Sequence, residues 1–319
     1  MQYSRLIDNE VLVSKIGFGG GPLSGEDWGP FNKKQNMMAV SRAYELGVNV
    51  FDTADVYGLG TSEKLLSKAL GHNRHNVIIS TKFGVNWNER PTNGLAKTFY
   101  DSSSKRVVEA LEASLKRLRL DCIPLYYIHW PDPNTSFLET AEALKRCQES
   151  GKIKNIGLSN FSLSQIKEIQ QDLNVIAVQA QYSLIDKEIE GDFIDSCKDL
   201  GINVFIYGPL AQGLLTGKYN DKSTFGDDDC RRRLPHFHGE ELMKHIGVIQ
   251  KVSEIADKYH ISMSQVALRW VLENPNVSCA ISGIKSIDQI EDNVKALEFD
   301  IHSDDNDFFG IPNEISYKI

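Results

Sequence analysis

The chain has 319 residues, of which 41% are hydrophobic, so it is long enough to bury a large core without the help of disulfides. A formal net charge of -8 argues against a nucleic-acid partner, and no apolar run approaches the ~18 residues that a membrane span needs. The five cysteines are scattered without a C-x-x-C pair and the N-terminus is polar, which favours a cytoplasmic protein.

The first residues of the chain predict a short β-hairpin. The stretch QYSRLIDNEVLVSKI has two arms around a turn near Asp8 and Asn9. We expect this hairpin to close the bottom of the barrel that the following segments predict.

Eight short runs rich in valine and isoleucine each predict a buried strand. In chain order they are VSKIGFGG, GVNVFDTA, NVIISTKF, CIPLYYIHW, KIKNIGLSN, NVIAVQAQY, GINVFIYGP and NVSCAISGI. Their nearly continuous apolar character is typical of parallel strands that are covered on both faces. Segments with helical spacing, such as SSKRVVEALEASLKRLRL, lie between them. This alternation predicts an α/β fold, a (β/α)8 TIM barrel with residues 1–319 in a single domain.

Residues at the ends of the predicted helices support this alternation. Ser162 and Ser264 precede helical stretches and are predicted to cap their N-termini. Gly47, Gly151 and Gly201 follow helical stretches, as glycines at helix C-termini commonly do.

A doubly wound Rossmann sheet is the alternative fold, and it needs a glycine-rich first turn. The stretch GFGGGPLSG does not supply one, because Pro22 or Ser24 takes the third glycine position of G-x-G-x-x-G in the two possible registers. Residues 211–239 have the least regular pattern in the chain and are numerous enough to form a functional loop.

Polar side chains end several predicted strands, on the face where TIM barrels hold their active sites. Asp52 ends the second strand and Tyr57 follows it, while Lys82 ends the third strand and His129 the fourth. A buried lysine is costly unless it is paired, so Lys82 and Asp52 are predicted to form an ion pair. We expect the ammonium to lower the pKa of Tyr57 from about 10, which suits the phenol to donate a proton to an oxygen that His129 orients.

Each of these residues also has an ordinary structural explanation. Taken alone, Asp52 is more often a strand-end cap, Tyr57 a loop aromatic and His129 a satisfied core histidine. The joint pattern at neighbouring strand ends favours the catalytic interpretation.

Aromatic residues just beyond strands one, three and four are predicted to line a substrate pocket, with core packing as the equal alternative. They are Trp28, Phe83, Trp87 and Trp130. The H-x-H pair of His236 and His238 lies in an irregular segment without partnered ligands, so no metal site is predicted there.

Longer motifs resemble the aldo-keto reductase family over essentially the whole chain. They are GVNVFDTADVYGLGTSE, STKFG, YYIHWPD, GLSNFS, AVQAQYSLID, YGPLAQGLLTGKY and ISGIKSIDQIEDN. The resemblance implies hydride transfer between NADPH, or NADH, and a small-molecule aldehyde, ketone or alcohol. It implies that Tyr57 is the general acid, that Asp52 and Lys82 tune it, and that His129 positions the carbonyl.

The same resemblance implies a nucleotide site across the barrel mouth. Residues after strands five, six and seven would hold the nicotinamide, the stretch GPLAQGLLTGK would hold the pyrophosphate, and residues near 285 would face the adenosine 2′-phosphate and the adenine. The implied set is Ser159, Asn160, Gln179, Tyr207, Gly208, Pro209, Leu210, Gly213, Lys218, Gly283, Lys285, Ser286, Gln289, Asp292 and Asn293. Asp292 is one methylene shorter than the glutamate that is usual in the family.

Two other functions fit parts of the pattern. The family fold also serves as a nucleotide-binding regulatory subunit with little turnover, and barrels of this kind include metal-dependent hydrolases. The sequence does not indicate the physiological substrate or the oligomeric state.

Overall fold

The computed structural model describes residues 1–6, 11–88, 95–302 and 305, and within them eight parallel strands form a closed barrel. In chain order the strands are β1 (Tyr3–Arg5), β2 (Leu12–Ser14), β3 (Ile16–Gly19), β4 (Val50–Asp52), β5 (Ile78–Phe83), β6 (Val85–Trp87), β7 (Thr98–Tyr100), β8 (Ile123–Ile128), β9 (Ile153–Ser159), β10 (Val175–Gln181), β11 (Asn203–Tyr207) and β12 (Val277–Gly283). The barrel order is β3-β4-β5-β8-β9-β10-β11-β12, and β12 pairs with β3 to close it. The eight predicted strands and the predicted fold class are therefore confirmed.

Helices follow the barrel strands and cover the outside. They are α1 (Lys33–Glu45), α2 (Thr61–Leu70), α3 (Ser104–Leu118), α4 (Phe137–Glu149), α5 (Leu163–Ile169), α6 (Asp192–Asp199), α7 (Gly239–Tyr259), α8 (Met263–Glu273) and α9 (Ile287–Val294). No helix within the described ranges combines the length and the apolar character that a membrane crossing requires.

The N-terminal hairpin closes the bottom of the barrel, as predicted. Strands β1 and β2 pair antiparallel, and Leu6 and Val13 pack inside the barrel with Val50 and Phe205. The turn predicted at residues 8 and 9 lies outside the described residues. Because apolar side chains fill this end, the chemistry is left to the opposite end, where the strands finish.

Side chains alternate between the barrel interior and the layer under the helices, since a strand has a period of two. Lys82 points into the barrel mouth, and its neighbour Phe83 therefore points outward. Phe83 is fully buried and stacks on Tyr126 with ring centroids 5.0 Å apart. The prediction that Phe83 lines a substrate pocket was wrong for this reason.

The predicted caps at the helix ends are present, except that one helix is capped by a different serine. Ser162 accepts a hydrogen bond from the Gln165 N–H and completes a capping box at α5. The cap of α8 is Ser262, which accepts from the Gln265 N–H, so the predicted cap at Ser264 was two residues too late. The three glycines predicted at helix ends all have positive φ, as expected just past a helix C-terminus.

Residues 211–239 contain three short 3-10 helices, Ala211–Thr216, Cys230–Arg232 and Pro235–Phe237. Part of the segment is tied to the loop after β3. The Gly29 N–H donates to the Asp228 carbonyl and the Cys230 N–H to the Asp27 carbonyl, both at 3.0 Å, and Arg233 pairs with Asp27 at 2.5 Å. Because β11 and β3 flank β12, the segment joins the two sides of the barrel mouth above that strand.

The packing inside the barrel leaves no room for a side chain at Gly157 in β9. A Cβ at this position would overlap the buried ring of Tyr127 and lie 3.0 Å from the Ala177 carbonyl oxygen. We expect Gly157→Ala to lower the free energy of unfolding by about 1–3 kcal/mol, because overpacking forces the ring or the backbone to move.

The matched control is Gly247→Ala in the middle of α7, where an added Cβ meets nothing within 4 Å. It should raise helix stability by up to about 1 kcal/mol. Urea unfolding of both variants measures the difference, and equal effects would contradict the described packing at Gly157.

Candidate active site

A buried ion pair lies at the mouth end of the barrel, where β4 and β5 finish side by side. Lys82 is 0% exposed, and its Nζ lies 2.6 Å from Asp52 Oδ2 and 2.9 Å from the Thr53 carbonyl oxygen. Asp52 Oδ1 accepts hydrogen bonds from Ser80 Oγ at 2.8 Å and from Gln179 Nε2 at 2.9 Å. The predicted pair is therefore present, and both carboxylate oxygens have partners.

Two of these contacts differ from the sequence interpretation. Ser80 was not predicted, although its position two residues before Lys82 puts it on the same face of β5. Gln179 was assigned to the nicotinamide, whereas its side-chain N–H here donates to Asp52. The amide of Gln179 thus helps to fix the carboxylate.

Tyr57 lies above the ion pair, in the loop between β4 and α2. Lys82 Nζ is 5.3 Å from the centroid of the phenol ring. The His129 ring meets the same phenol edge-on, with centroids 5.8 Å apart and an interplanar angle of 79°. A phenol, an ammonium and an imidazole from three strand ends therefore converge, as the sequence predicts.

The direction of the Tyr57 pKa differs from the prediction. Burial raises the pKa of Tyr57 above its ordinary value, the Lys82 ammonium lowers it, and the Asp52 carboxylate raises it again. The predicted lowering was wrong because it counted the ammonium without the burial and without the carboxylate that offsets it. The phenol consequently keeps its proton at neutral pH.

His129 is held as a neutral imidazole. Burial and the nearby Lys82 ammonium place its pKa well below the usual range. Its Nδ1 is buried without a hydrogen-bond partner in the described part of the chain. A proton on Nδ1 would lack an acceptor, so the tautomer with the proton on Nε2 is favoured.

A chain of hydrogen bonds links His129 to the ends of β9 and β11. Asn160 has a positive φ of 65°. Its Nδ2 donates to the His129 carbonyl oxygen at 2.9 Å and to Ser159 Oγ at 3.0 Å. The Tyr207 hydroxyl donates to Asn160 Oδ1 at 2.7 Å. Three of the residues predicted for the nicotinamide therefore lie together beside His129.

The stretch after β11, where a pyrophosphate site is predicted, is a turn with an unusual run of positive φ angles, and the N–H groups of Ala211 and Gly213 donate to carbonyls within it. Gly208, Ala211, Gln212 and Gly213 all have positive φ, at 68°, 46°, 51° and 97°. Turns with such successive conformations form concavities of backbone N–H groups that suit anions. Pro209 and Leu210 lie within the same turn, and Lys218 is exposed just beyond it.

Lys285 lies between this stretch and the loop after β3. Its ammonium donates to the Trp28 carbonyl oxygen, and burial followed by the nearby Arg231 lowers its pKa. Trp28 packs against Arg231, whose guanidinium is 5.6 Å from the indole ring. Trp28 thus lies beside Lys285 and the predicted phosphate site. A lysine at the start of a helix suits a phosphate group.

The remaining cofactor candidates have structural roles at the starts of α8 and α9. Ser286 caps the helix by accepting from the Gln289 N–H, and Gln289 Oε1 accepts from the Lys285 N–H. Asp292 accepts from Ser262 and Gln265, both at 2.6 Å.

Asn293 is 3% exposed and donates to Ser282 Oγ, beside Gly283 at the end of β12. Like Gln289 and Asp292, Asn293 therefore has a structural partner inside the protein. Contacts from these residues to an adenine stay predictions.

Aromatic side chains surround the mouth on the β5 and β8 side. Trp130 is partly exposed, and its ring lies 6.4 Å from that of Tyr100 on β7. Trp87 on β6 has the Arg106 guanidinium over its ring at 5.0 Å. Tyr100 and Arg106 were not predicted, and only the aromatic character of TFY at residues 98–100 hinted at the first of them.

Asp55 has a partner that sequence reasoning did not find. Its carboxylate pairs with Arg106 at 2.5 Å, 51 residues away. His236 Nδ1 lies 2.8 Å from His245 Nε2, and no cluster of three or more potential metal ligands occurs among the described residues.

A model of the Aldo/keto reductase family matches residues 15–309. The chain belongs to this family. The match begins just after the hairpin strand β2 and covers every strand of the barrel. The family is the one that the sequence motifs resemble.

Individual relatives agree with this aldo-keto reductase assignment. The Aldo-keto reductase yakc [NADP(+)] of Schizosaccharomyces pombe is 34% identical over 301 residues, which cover 92% of this chain and 86% of the relative. The NADH-specific methylglyoxal reductase of Escherichia coli is 30% identical over 310 residues, with 93% of each chain covered. The solved structure of a glycerol dehydrogenase from Gluconobacter oxydans has a TM-score of 0.87 and 30% identity, with 96% of this chain and 93% of that chain covered.

The protonation of Tyr57 in this aldo-keto reductase can be measured directly. Because its pKa is raised, the difference in ultraviolet absorbance between the wild type and Tyr57→Phe should show no phenolate from Tyr57 until the pH exceeds about 10. Subtraction of the variant removes the signal of the other ten tyrosines among the 11 of the chain. A Tyr57 phenolate that appears below about pH 9 would contradict the described environment.

Proposed function

We propose that this aldo-keto reductase reduces the carbonyl group of an aldehyde or ketone with NADPH and catalyses the reverse oxidation of the alcohol. One observation carries the proposal: a phenol that holds its proton meets a neutral imidazole directly above a buried ammonium. When bound, NADPH supplies the hydride that reduces the carbonyl carbon.

Tyr57 donates the proton. As negative charge develops on the carbonyl oxygen, the hydroxyl of Tyr57 gives its proton to that oxygen and becomes a phenolate. The Lys82 ammonium stabilises the phenolate, and its effect is strong because the pair is buried where the effective dielectric is low. In the reverse direction the phenolate takes the proton of the alcohol.

His129 orients the carbonyl group. A neutral imidazole with its proton on Nε2 donates a hydrogen bond to the carbonyl oxygen without competing with Tyr57 as an acid. The imidazole of His129 packs edge-on against the phenol of Tyr57. The backbone of His129 is held by the hydrogen bond from Asn160 Nδ2 to the His129 backbone carbonyl oxygen. These contacts support a fixed direction of approach for the substrate.

The nicotinamide end of the nucleotide is assigned to the residues at the ends of β9 and β11. Ser159 and Asn160 offer polar groups that match a carboxamide, and the ring of Tyr207 offers a face for stacking. Gln179 contributes through its bond to Asp52. The positive-φ turn at residues 208–213 would hold the pyrophosphate.

The preference for NADPH over NADH is assigned to Lys285. Its ammonium is half-buried, bonds only backbone carbonyls among its described contacts, and stands next to the helix cap Ser286. A 2′-phosphate would replace those carbonyls with a charged acceptor. The named cofactors of the relatives include both NADP(+) and NADH, so this residue is the place to test the preference.

The first test of the proposed function removes the hydroxyl of Tyr57. We expect Tyr57→Phe to reduce NADPH-linked turnover of a panel of aldehydes by about 10²- to 10⁴-fold, the usual range for loss of a general acid. Binding of NADPH, measured by fluorescence titration, should stay within about twofold of the wild type. Equal turnover in both proteins would show that the acid is elsewhere, and negligible turnover in both would favour a regulatory subunit.

The second test concerns the nucleotide phosphate. We expect Lys285→Met to weaken NADPH binding by about tenfold or more, the size of one charge-assisted hydrogen bond, and to leave NADH within about twofold. The control is Lys295→Met at the exposed opposite end of α9, which should change neither affinity. Equal weakening of both nucleotides by Lys285→Met would remove the phosphate assignment.

A further inference from the structure

Asp55 is a fully buried carboxylate two residues before Tyr57. It is 0% exposed, and its N–H donates to the Lys82 carbonyl oxygen at 3.2 Å. Its Oδ2 lies 2.5 Å from Arg106 Nη2, while its Oδ1 is buried without a partner in the described ranges. A carboxylate in such a place is costly, so its presence requires an explanation.

Arg106 joins two walls of the site. It lies in the first turn of α3, with its side chain 12% exposed. One edge of the guanidinium pairs with Asp55 in the Tyr57 loop, and its face covers Trp87 in the β6–β7 hairpin at 5.0 Å. Its Nε is also buried and lacks a described partner.

A second buried pair, which also involves α3, shows what a purely structural pair looks like here. Glu63 on α2 pairs with Arg117 at the other end of α3, and Glu63 Oε1 accepts from Thr81 Oγ1 at 2.7 Å. Arg117 also donates to Ser114 Oγ at 3.1 Å. Both oxygens of Glu63 therefore have partners, and no aromatic ring of the mouth is described over Arg117.

The charges around Asp55 make its pair sensitive to pH near neutrality. The pKa of Asp55 is raised to about 7 as the balance of several effects: burial raises it most, Arg106 lowers it, Glu63 of α2 raises it and Arg117 lowers it. The buried hydroxyl of Tyr126 on β8 also interacts with Asp55, Glu63 and Arg106. As the pH falls through about 7, Asp55 takes up a proton and its attraction for Arg106 weakens.

We propose that Arg106 is a positioning residue for the reaction: by pairing with Asp55 and stacking on Trp87, it holds the loop of Tyr57 against the β6–β7 hairpin. The proposal rests on the proposed function, because it gives a role to the place where Tyr57 stands. Arg106 touches neither Tyr57 nor His129 in the described contacts and acts through the loop. A displacement of Tyr57 by about 1 Å would be enough to slow proton donation strongly.

The test compares matched variants of the two buried pairs. We expect Arg106→Gln to lower kcat for aldehyde reduction by about tenfold to a hundredfold while the Kd of NADPH stays within about twofold. Arg106→Lys, which keeps the charge, should recover a large part of kcat. Arg117→Gln, the control, should lower the free energy of unfolding and leave kcat within about twofold at a pH well above 7, where Asp55 stays ionised without Arg117. All rates are measured at a temperature at which urea unfolding shows each variant to be folded.

The pH profile supplies a readout that a structural role would not move. The wild type should lose kcat as the pH falls through about 7, because protonation of Asp55 releases Arg106. In Asp55→Asn this loss near pH 7 should be absent, and only the loss from protonation of His129 at lower pH should remain. If Arg106→Gln does not fold, the pH profiles of kcat for the wild type and Asp55→Asn test the positioning role without it.

The outcomes separate this inference from the proposed function. Equal kcat for Arg106→Gln and Arg117→Gln, or a pH profile that Asp55→Asn leaves unchanged, would overturn the positioning role while the wild type still reduces aldehydes. A wild type that binds NADPH but reduces no carbonyl compound would overturn the proposed function itself, and the positioning role with it.

Discussion

The structure of the site depends on one ion pair, that of Lys82 and Asp52, which is closed off from solvent inside the barrel mouth. An ammonium in such a place is tolerated only with a carboxylate in contact, and removal of one partner from a buried pair typically costs about 3–5 kcal/mol. Asp52 in turn is held by Ser80 and Gln179 from two other strands. The position of the ammonium is thereby fixed by the barrel, and Tyr57 and His129 are arranged around it.

Burial and this pair together set the protonation of the neighbouring side chains. Burial and then the Lys82 ammonium lower the pKa of His129, so the imidazole stays neutral, while burial outweighs the ammonium at Tyr57, so the phenol stays protonated. A neutral hydrogen-bond donor and a neutral acid next to a fixed cation are suited to an oxygen that becomes negative during the reaction. The cation is then most useful after the proton has left Tyr57, because it stabilises the phenolate.

Sequence reasoning predicted the barrel well because parallel strands covered on both faces leave a continuous apolar signal. It also predicted that Asp52, Tyr57, Lys82 and His129 lie close together, because polar side chains interrupt that signal at strand ends. Phe83 was misplaced because neighbouring residues on a strand face opposite ways. Asp55 and Arg106 were missed as a pair because a contact across 51 residues arises only when α3 packs beside the Tyr57 loop. The pKa of Tyr57 was also out of reach, since burial is a property of the folded chain.

The most direct measurement is a crystal structure of the protein with NADP⁺ bound. The account predicts the nicotinamide ring against Tyr207, its carboxamide at Ser159 and Asn160, and the Tyr57 hydroxyl at a hydrogen-bond distance of about 3 Å from Lys82 Nζ, facing the reactive edge of the ring. A nucleotide bound elsewhere, or a Tyr57 hydroxyl turned away from both Lys82 and the nicotinamide, would contradict it.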